Sequence, residues 1–203
     1  MAKGREPKGK SIKKTIYIFT EGETEKNYFS ILNQKYNSSA TVKVSISHAS
    51  KQGMALLKHA IGTINTLKKT DRSNLGGAYI IFDKDEIPHN DIETVLKEAK
   101  EANIHIGFSN SCFEVWLLAH FIIPNHSHTK QKIYEALENK LECTQYARDH
   151  KNNRQLLKLL EDHVSTAIQN TSSMEALTQM VIKQEPYTNI GQIIQEIYNR
   201  DIY

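Results

Sequence analysis

Two acidic segments in the first half of the chain contain the residues best suited to chemistry. The stretch IIFDKDEIP places Asp83, Asp85 and Glu86 directly after an apolar run, and the earlier stretch TEGETE places Glu21 after another. Carboxylates in one crevice repel each other unless a cation neutralises them. Carboxylate oxygens suit Mg²⁺ or Mn²⁺, which can activate water and polarise a phosphodiester. The acids therefore predict a metal site, and simple turn formers or helix N-caps are the open alternative.

These acids need a scaffold, and the segments around them predict an α/β fold. Segments typical of strands occur at residues 15–20, 41–47, 77–83 and 104–109. Segments with helical spacing of apolar residues alternate with them, at 24–36, 54–67, 90–103 and 112–121. This alternation predicts a mostly parallel sheet of four strands with helices on both faces. In the strand order 2-1-3-4, strands one and three are neighbours, which brings Glu21 to Asp83 and Asp85.

The second half of the chain predicts helices and no convincing strand. The helical segments lie near residues 130–140, 153–170, 173–183 and 190–199. We therefore expect three parts along the chain. They are a basic, flexible arm (1–14), an α/β domain (15–125) and a helical part packed on that domain (126–203).

Lysines supply the positive charge that a phosphate-binding site needs. The formal net charge is +3, and basic residues are concentrated before the first strand. Such an arm can contact phosphate, and a solvated tail is the alternative. Lysines close in sequence to the acids are further candidates, either for binding nucleic acid or for stabilising charge on a reacting phosphate. The candidate nucleic-acid-binding residues are Lys10, Lys13, Lys14, Lys26, Lys51 and Lys84.

Composition narrows the class of protein. Hydrophobic residues make up 39% of the chain and charged residues 24%, which is typical of a soluble globular protein. No apolar run approaches the roughly 20 residues of a membrane helix. Two cysteines, Cys112 and Cys143, do not make a disulfide framework. We expect a cytoplasmic protein without membrane contact, and the sequence leaves its oligomeric state open.

Four motifs, in this order and spacing, resemble the RloB-like family, to which the abortive-infection protein AbiLii is similar. The motifs are TEGETEKNYF, FDKDE, SNSCFEVWLLAHF and EPYTNIGQII, and the resemblance covers most of the chain from Ile16 to about Ile197. It implies a Toprim-like fold, in which a glutamate after the first strand and an Asp-x-Asp after a later strand bind Mg²⁺ together. These roles fall on Glu21 and on the pair Asp83 and Asp85.

Other polar residues near these motifs have more than one interpretation. By the resemblance, Glu114 is a fourth catalytic acid, but Ser111 and Glu114 also have the spacing of a helix capping box. We interpret Glu23 and Glu25 as acids that favour the N-terminus of the first helix. His48 follows the second predicted strand and is expected near the mouth of the crevice.

The sequence thus supports two functions. The first is a Mg²⁺- or Mn²⁺-dependent nuclease of Toprim type that hydrolyses RNA or DNA in bacterial defence against phage. Its catalytic residues are Glu21, Asp83, Asp85 and Glu114. The second is a non-catalytic binding or sensing module that signals to a partner protein of a defence operon.

Overall fold

The order of strands and helices follows the alternation expected from the sequence. The computed structural model describes residues 14–36, 42–199 and 203. Its strands are β1 (Lys14–Thr20), β2 (Val42–His48), β3 (Leu75–Asp83), β4 (His105–Asn110) and β5 (Tyr187–Thr188). Its α-helices are α1 (Glu23–Tyr36), α2 (Gly53–Asn65), α3 (Lys69–Ser73), α4 (His89–Glu101), α5 (Glu114–Ala119), α6 (Lys130–Lys140), α7 (Arg154–Lys158), α8 (Val164–Asn170) and α9 (Ile190–Tyr198). A π-helical turn (Tyr146–His150) and a 3₁₀ turn (Val181–Lys183) are also present.

The strands form one sheet in the order β2-β1-β3-β4-β5. Strands β1 to β4 are parallel, which confirms the predicted mostly parallel sheet and its order 2-1-3-4. The predicted number of four strands is wrong, because β5 pairs antiparallel with the end of β4. A strand of two residues is too short to produce an alternating pattern in the sequence. Long-range contacts hold it instead, such as the 2.9 Å hydrogen bond between the Ser109 and Thr188 hydroxyls.

Apolar side chains form a core on each face of the sheet, and β3 contributes to both. Ile80 and Phe82 pack with helices α2 and α4 on one face. Tyr79 and Ile81 pack with α1, α5 and α9 on the other. Because successive side chains of a strand point to opposite faces, Asp83 continues the row of Ile81. The last residue of β3 therefore directs its carboxyl group toward α1 and α5.

Helices after residue 125 cover the same face as α1. The single helix expected at 153–170 is two helices, α7 and α8. Lys35 of α1 holds the turn between them, since its ammonium donates to the Glu161 carbonyl and to Asp162, the latter at 2.7 Å.

The prediction of a helix at residues 173–183 is wrong, because only the last three residues of this segment form a helical turn. The polar groups at the start of this segment bond to β5 instead of forming a helix. The Thr188 N–H donates to the Met174 sulfur at 3.3 Å, and the Tyr187 hydroxyl donates to the Glu175 carbonyl at 3.0 Å. Since this part of the chain also supplies β5 and core residues such as Ile133 and Val164, the boundary at residue 125 stays a prediction.

Most of the basic arm, including Lys10 and Lys13, lies outside the described residues. Lys14 is the first residue of β1 and is exposed. Among the helices that the structure describes, none has the length and apolar character to cross a membrane.

Candidate metal centre

Three carboxylates meet where β1 and β3 end. Glu21, Asp83 and Asp85 each offer an oxygen, and these oxygens all lie within 4.8 Å of one another. The register of the parallel strands produces this arrangement, because Thr20 pairs with Ile81 and the Glu21 N–H donates to the Ile81 carbonyl at 3.0 Å. The structure thus brings together the three acids that the sequence singled out as ligands.

Asp83 is the innermost of the three. Its side chain is buried, and one carboxyl oxygen accepts a 3.1 Å hydrogen bond from the Phe113 N–H just before α5. Burial raises the pKa of Asp83 well above its usual range, and the neighbouring carboxyl groups raise it further, Glu21 first and Glu25 next. A carboxylate in this position needs a compensating cation to stay ionised at neutral pH.

Asp85 lies at the solvent side of the group, on a turn with left-handed backbone (φ 37°), a conformation that Asp tolerates better than most residues. Its carboxylate accepts a 2.5 Å hydrogen bond from the ammonium group of Lys130. Both side chains line a cleft of about 390 Å³, together with Gln52, Glu86 and Ser111. The cleft gives a ligand access to the outer side of the carboxylate group.

Glu21 is half-buried between these two aspartates and the start of α2. Burial raises the pKa of Glu21 to about 7, opposed by a hydrogen bond from the Gln52 side chain and supported by the nearby charge of Asp85. When no cation is bound, Glu21 therefore stays protonated to a higher pH than an ordinary glutamate, as Asp83 does relative to an ordinary aspartate.

Glu25 is a buried acid behind this group, and the sequence interpretation missed it. Only 6% of its surface is exposed, and one carboxyl oxygen has no hydrogen-bond partner among the described residues. A side chain at Gly22 would place a Cβ 2.5 Å from that oxygen, which explains the need for glycine after Glu21. Helical spacing was the available signal, since Glu25 precedes the buried Tyr28 and Phe29 by three and four residues.

Glu114 does not form a capping box with Ser111, which was one of the two interpretations that the sequence left open. Helix α5 begins at Glu114, and its N-cap residue, Phe113, makes no side-chain capping bond. The Glu114 side chain is instead 1% exposed and forms an ion pair with Lys151 at 3.3 Å. It raises the pKa of Asp83 only as the last of four neighbouring acids and lies outside the group of three close oxygens, so its role as a catalytic acid stays a prediction.

The lysines that pair with these acids come from the C-terminal helical part, and the sequence interpretation did not name them. Lys130 is the first residue of α6, and Lys151 follows the π-helical turn. Of the predicted lysines, Lys26 pairs with Glu23 at 3.2 Å, whereas the side chain of Lys51 is exposed and that of Lys84 is partly buried. Their predicted contacts with nucleic acid stay predictions.

The sequence of this chain matches one known protein family over most of its length. The family model described as "RloB-like protein" matches residues 16–197. The chain belongs to the RloB-like family. The match spans every acid and both lysines of the centre. No curated protein and no solved structure gave a significant match to the chain.

The residues of this RloB-like centre fit a hard divalent cation. Glu21, Asp83 and Asp85 provide only oxygen donors, the type that Mg²⁺ and Mn²⁺ prefer. Their mutual distances suit ligands of one ion, and the outer side of the group faces a cleft where water or substrate can complete the coordination. Burial is the main cause of the raised pKa values of both Glu21 and Asp83, and the neighbouring carboxylates add to it.

Because the pKa of Glu25 is raised, the stability of the RloB-like protein should depend on pH. Burial raises the pKa of Glu25 from 4.5 to about 7, so the folded protein holds a proton that the unfolded chain releases near pH 4.5. The free energy of unfolding should therefore fall as pH rises from about 4.5 to about 7. In Glu25→Gln this fall should be smaller by about 2–3 kcal/mol, measured by urea unfolding in EDTA at several pH values. An unchanged pH dependence in Glu25→Gln would contradict a raised pKa at this residue.

Proposed function

We propose that this RloB-like protein is a Mg²⁺- or Mn²⁺-dependent nuclease with a Toprim-type site that hydrolyses phosphodiester bonds of RNA or DNA. The observation that carries the proposal is the group of Glu21, Asp83 and Asp85, whose oxygens lie within 4.8 Å at the carboxyl ends of two neighbouring parallel strands. Ligands of open parallel sheets bind at this edge. The resemblance to abortive-infection proteins supports a role in defence against phage.

Each residue of the centre has a definite task in this reaction. Glu21, Asp83 and Asp85 would hold the metal, which would activate a water molecule and stabilise negative charge at the phosphorus. The Phe113 N–H orients Asp83, and the Gln52 side chain orients Glu21. Lys130 projects into the same cleft as Asp85 and offers the positive charge that a phosphodiester needs on the outer side.

The direct test is cleavage by the purified protein. Mixed tRNA and plasmid DNA are incubated with the protein in Mn²⁺, in Mg²⁺ and in EDTA. We expect Mn²⁺- or Mg²⁺-dependent cleavage of at least one substrate and none in EDTA. Mn²⁺ titration followed by electron paramagnetic resonance measures binding independently, and a protein that binds no Mn²⁺ at millimolar concentration would contradict the metal centre.

A second candidate function has its own observation in favour. Lys130 and Lys151 already pair with Asp85 and Glu114, so basic side chains can occupy the acids of this centre. A basic partner protein of a defence operon could make the same contacts, and the protein would then be a sensing module without turnover. The two functions separate in one pair of assays. A wild-type protein that cleaves nothing, combined with loss of phage protection in Asp83→Ala, supports the sensing module.

A further inference from the structure

Beside the turn that leads from β2 into α2, three polar side chains are linked by hydrogen bonds. The Ser50 hydroxyl lies 3.1 Å from Nε2 of His48. Nδ1 of the same imidazole lies 2.8 Å from a carboxylate oxygen of Glu23 in the first turn of α1. A hydroxyl, an imidazole and a carboxylate linked in this order form the arrangement that activates serine nucleophiles.

The charge of Glu23 sets the direction of these hydrogen bonds. Lys26 donates to both carboxylate oxygens of Glu23, at 3.2 and 3.3 Å, and helps to keep this group ionised. A carboxylate accepts only, so Nδ1 of His48 carries the proton and donates it. Nε2 is then the acceptor for the Ser50 hydroxyl. The imidazole is thus oriented as a base toward the serine oxygen.

The backbone presents the Ser50 hydroxyl to solvent. Ser50 is exposed and has a φ of 50°, in the left-handed region that few serines adopt. It lies on a short connection between a parallel strand and a helix, as the nucleophile does in hydrolases with a strained strand-to-helix turn. The N–H groups of Lys51 and Gln52, which follow it, donate no hydrogen bond within the described part of the chain. They are available to a developing oxyanion.

The surroundings of the turn indicate which substrates fit. The turn lies beside the candidate metal centre, since the Ala49 N–H donates to the carbonyl of Thr20, the residue before Glu21, at 3.0 Å. When no cation is bound, the carboxylates of that centre disfavour anionic substrates. A cleft of about 550 Å³ begins at Gln52, two residues after Ser50, and its lining combines apolar side chains such as Met54 and Ile87 with the acidic Glu86 and Asp91. An uncharged ester with a short apolar acyl group suits this environment.

We propose that Ser50, His48 and Glu23 form a second catalytic site, which hydrolyses uncharged carboxylic esters. The Ser50 oxygen attacks the carbonyl carbon while its proton passes to Nε2 of His48. The bond to the alcohol oxygen breaks, and this oxygen takes the proton from His48 and leaves as the alcohol. Water then gives a proton to His48 and its oxygen to the acyl carbon. The acid is released, and Ser50 recovers its proton.

The experiment uses a fluorophosphonate probe and p-nitrophenyl acetate on the full chain in EDTA, so that the outcome does not depend on the metal centre. We expect one covalent adduct, mapped to Ser50 by mass spectrometry, and a loss of at least about 100-fold in ester hydrolysis in Ser50→Ala and in His48→Ala. Ser50→Gly tests the same loss in a variant that accepts the positive φ. Ser73→Ala is the matched control, because Ser73 is exposed and its hydroxyl donates to a backbone carbonyl.

Glu23 acts through His48 and is a positioning residue. Glu23→Gln should lower kcat by about 10-fold or more while the KM for the ester stays within about 2-fold, because the acyl cleft is unchanged. A folded wild type that takes up no probe at Ser50 overturns the site. The proposed site is also overturned if the His48→Ala variant is labelled at Ser50 as fast as the wild type, since the serine would then react without its base.

Discussion

Asp83→Asn is expected to lower Mn²⁺-dependent phosphodiester cleavage by at least about 100-fold. The variant removes one of the three carboxylates that we propose bind the metal, and a bound metal contributes several kcal/mol to charge stabilisation in such reactions. Since each tenfold change in rate corresponds to about 1.4 kcal/mol, even partial loss of that stabilisation gives this effect. Initial rates with the substrate that the wild type cleaves best, measured across Mn²⁺ concentrations, provide the test.

The same variant separates a functional role of Asp83 from a structural one. An asparagine oxygen can still accept the hydrogen bond from the Phe113 N–H, and the substitution removes a buried acid whose ionisation is unfavourable among other acids. We therefore expect Asp83→Asn to be at least as stable as the wild type in EDTA. Asp71→Asn, an exposed acid of α3, is the matched control and should keep full activity. Cleavage by Asp83→Asn at the wild-type rate would show that the reaction does not depend on this metal centre.

The sequence was sufficient to predict how the acids at the ends of β1 and β3 meet. The information was local, because apolar runs located each strand and the parallel order fixed which strand ends are adjacent. Glu25 was within reach of the same reasoning. Its spacing from Tyr28 and Phe29 places it on the buried face of α1, and a buried acid beside Glu21 follows from that position.

Other parts of the centre depend on contacts that leave no local pattern. Lys130 and Lys151 lie 45 and 37 residues after the acids that they contact, and a lysine at the edge of a helix or turn looks like any solvated lysine. Strand β5 has only two residues, and long-range contacts with β4, such as the bond between the Ser109 and Thr188 hydroxyls, hold it in the sheet. The sequence could not decide the role of Glu114, since its spacing from Ser111 is compatible with a helix cap. Only the fold shows that its side chain is buried and pairs with Lys151.

Lys151→Met is expected to destabilise the protein by about 2–3 kcal/mol. The substitution leaves the almost fully buried Glu114 carboxylate without its cation, and removal of one partner from a buried ion pair costs about 3–5 kcal/mol. The expected loss is smaller here because 39% of the Lys151 side chain is exposed. Methionine keeps an apolar stem of similar length, so the packing beside the Tyr134 ring, 5.4 Å from the Lys151 ammonium, is retained. Urea unfolding at pH 7.5 measures the change.

A double-mutant cycle with Glu114→Gln distinguishes lost charge pairing from lost packing. Burial works against the charged form of Lys151, yet the Glu114 carboxylate raises the pKa of this lysine above its usual range, so the two charges interact strongly. If the unpaired charge causes the loss, adding Glu114→Gln to Lys151→Met should restore most of the stability, because no buried carboxylate remains. Lys158→Met, at an exposed position of α7, is the control and should change stability by less than about 0.5 kcal/mol. Additive losses in the double variant would show that Glu114 and Lys151 stabilise the fold independently.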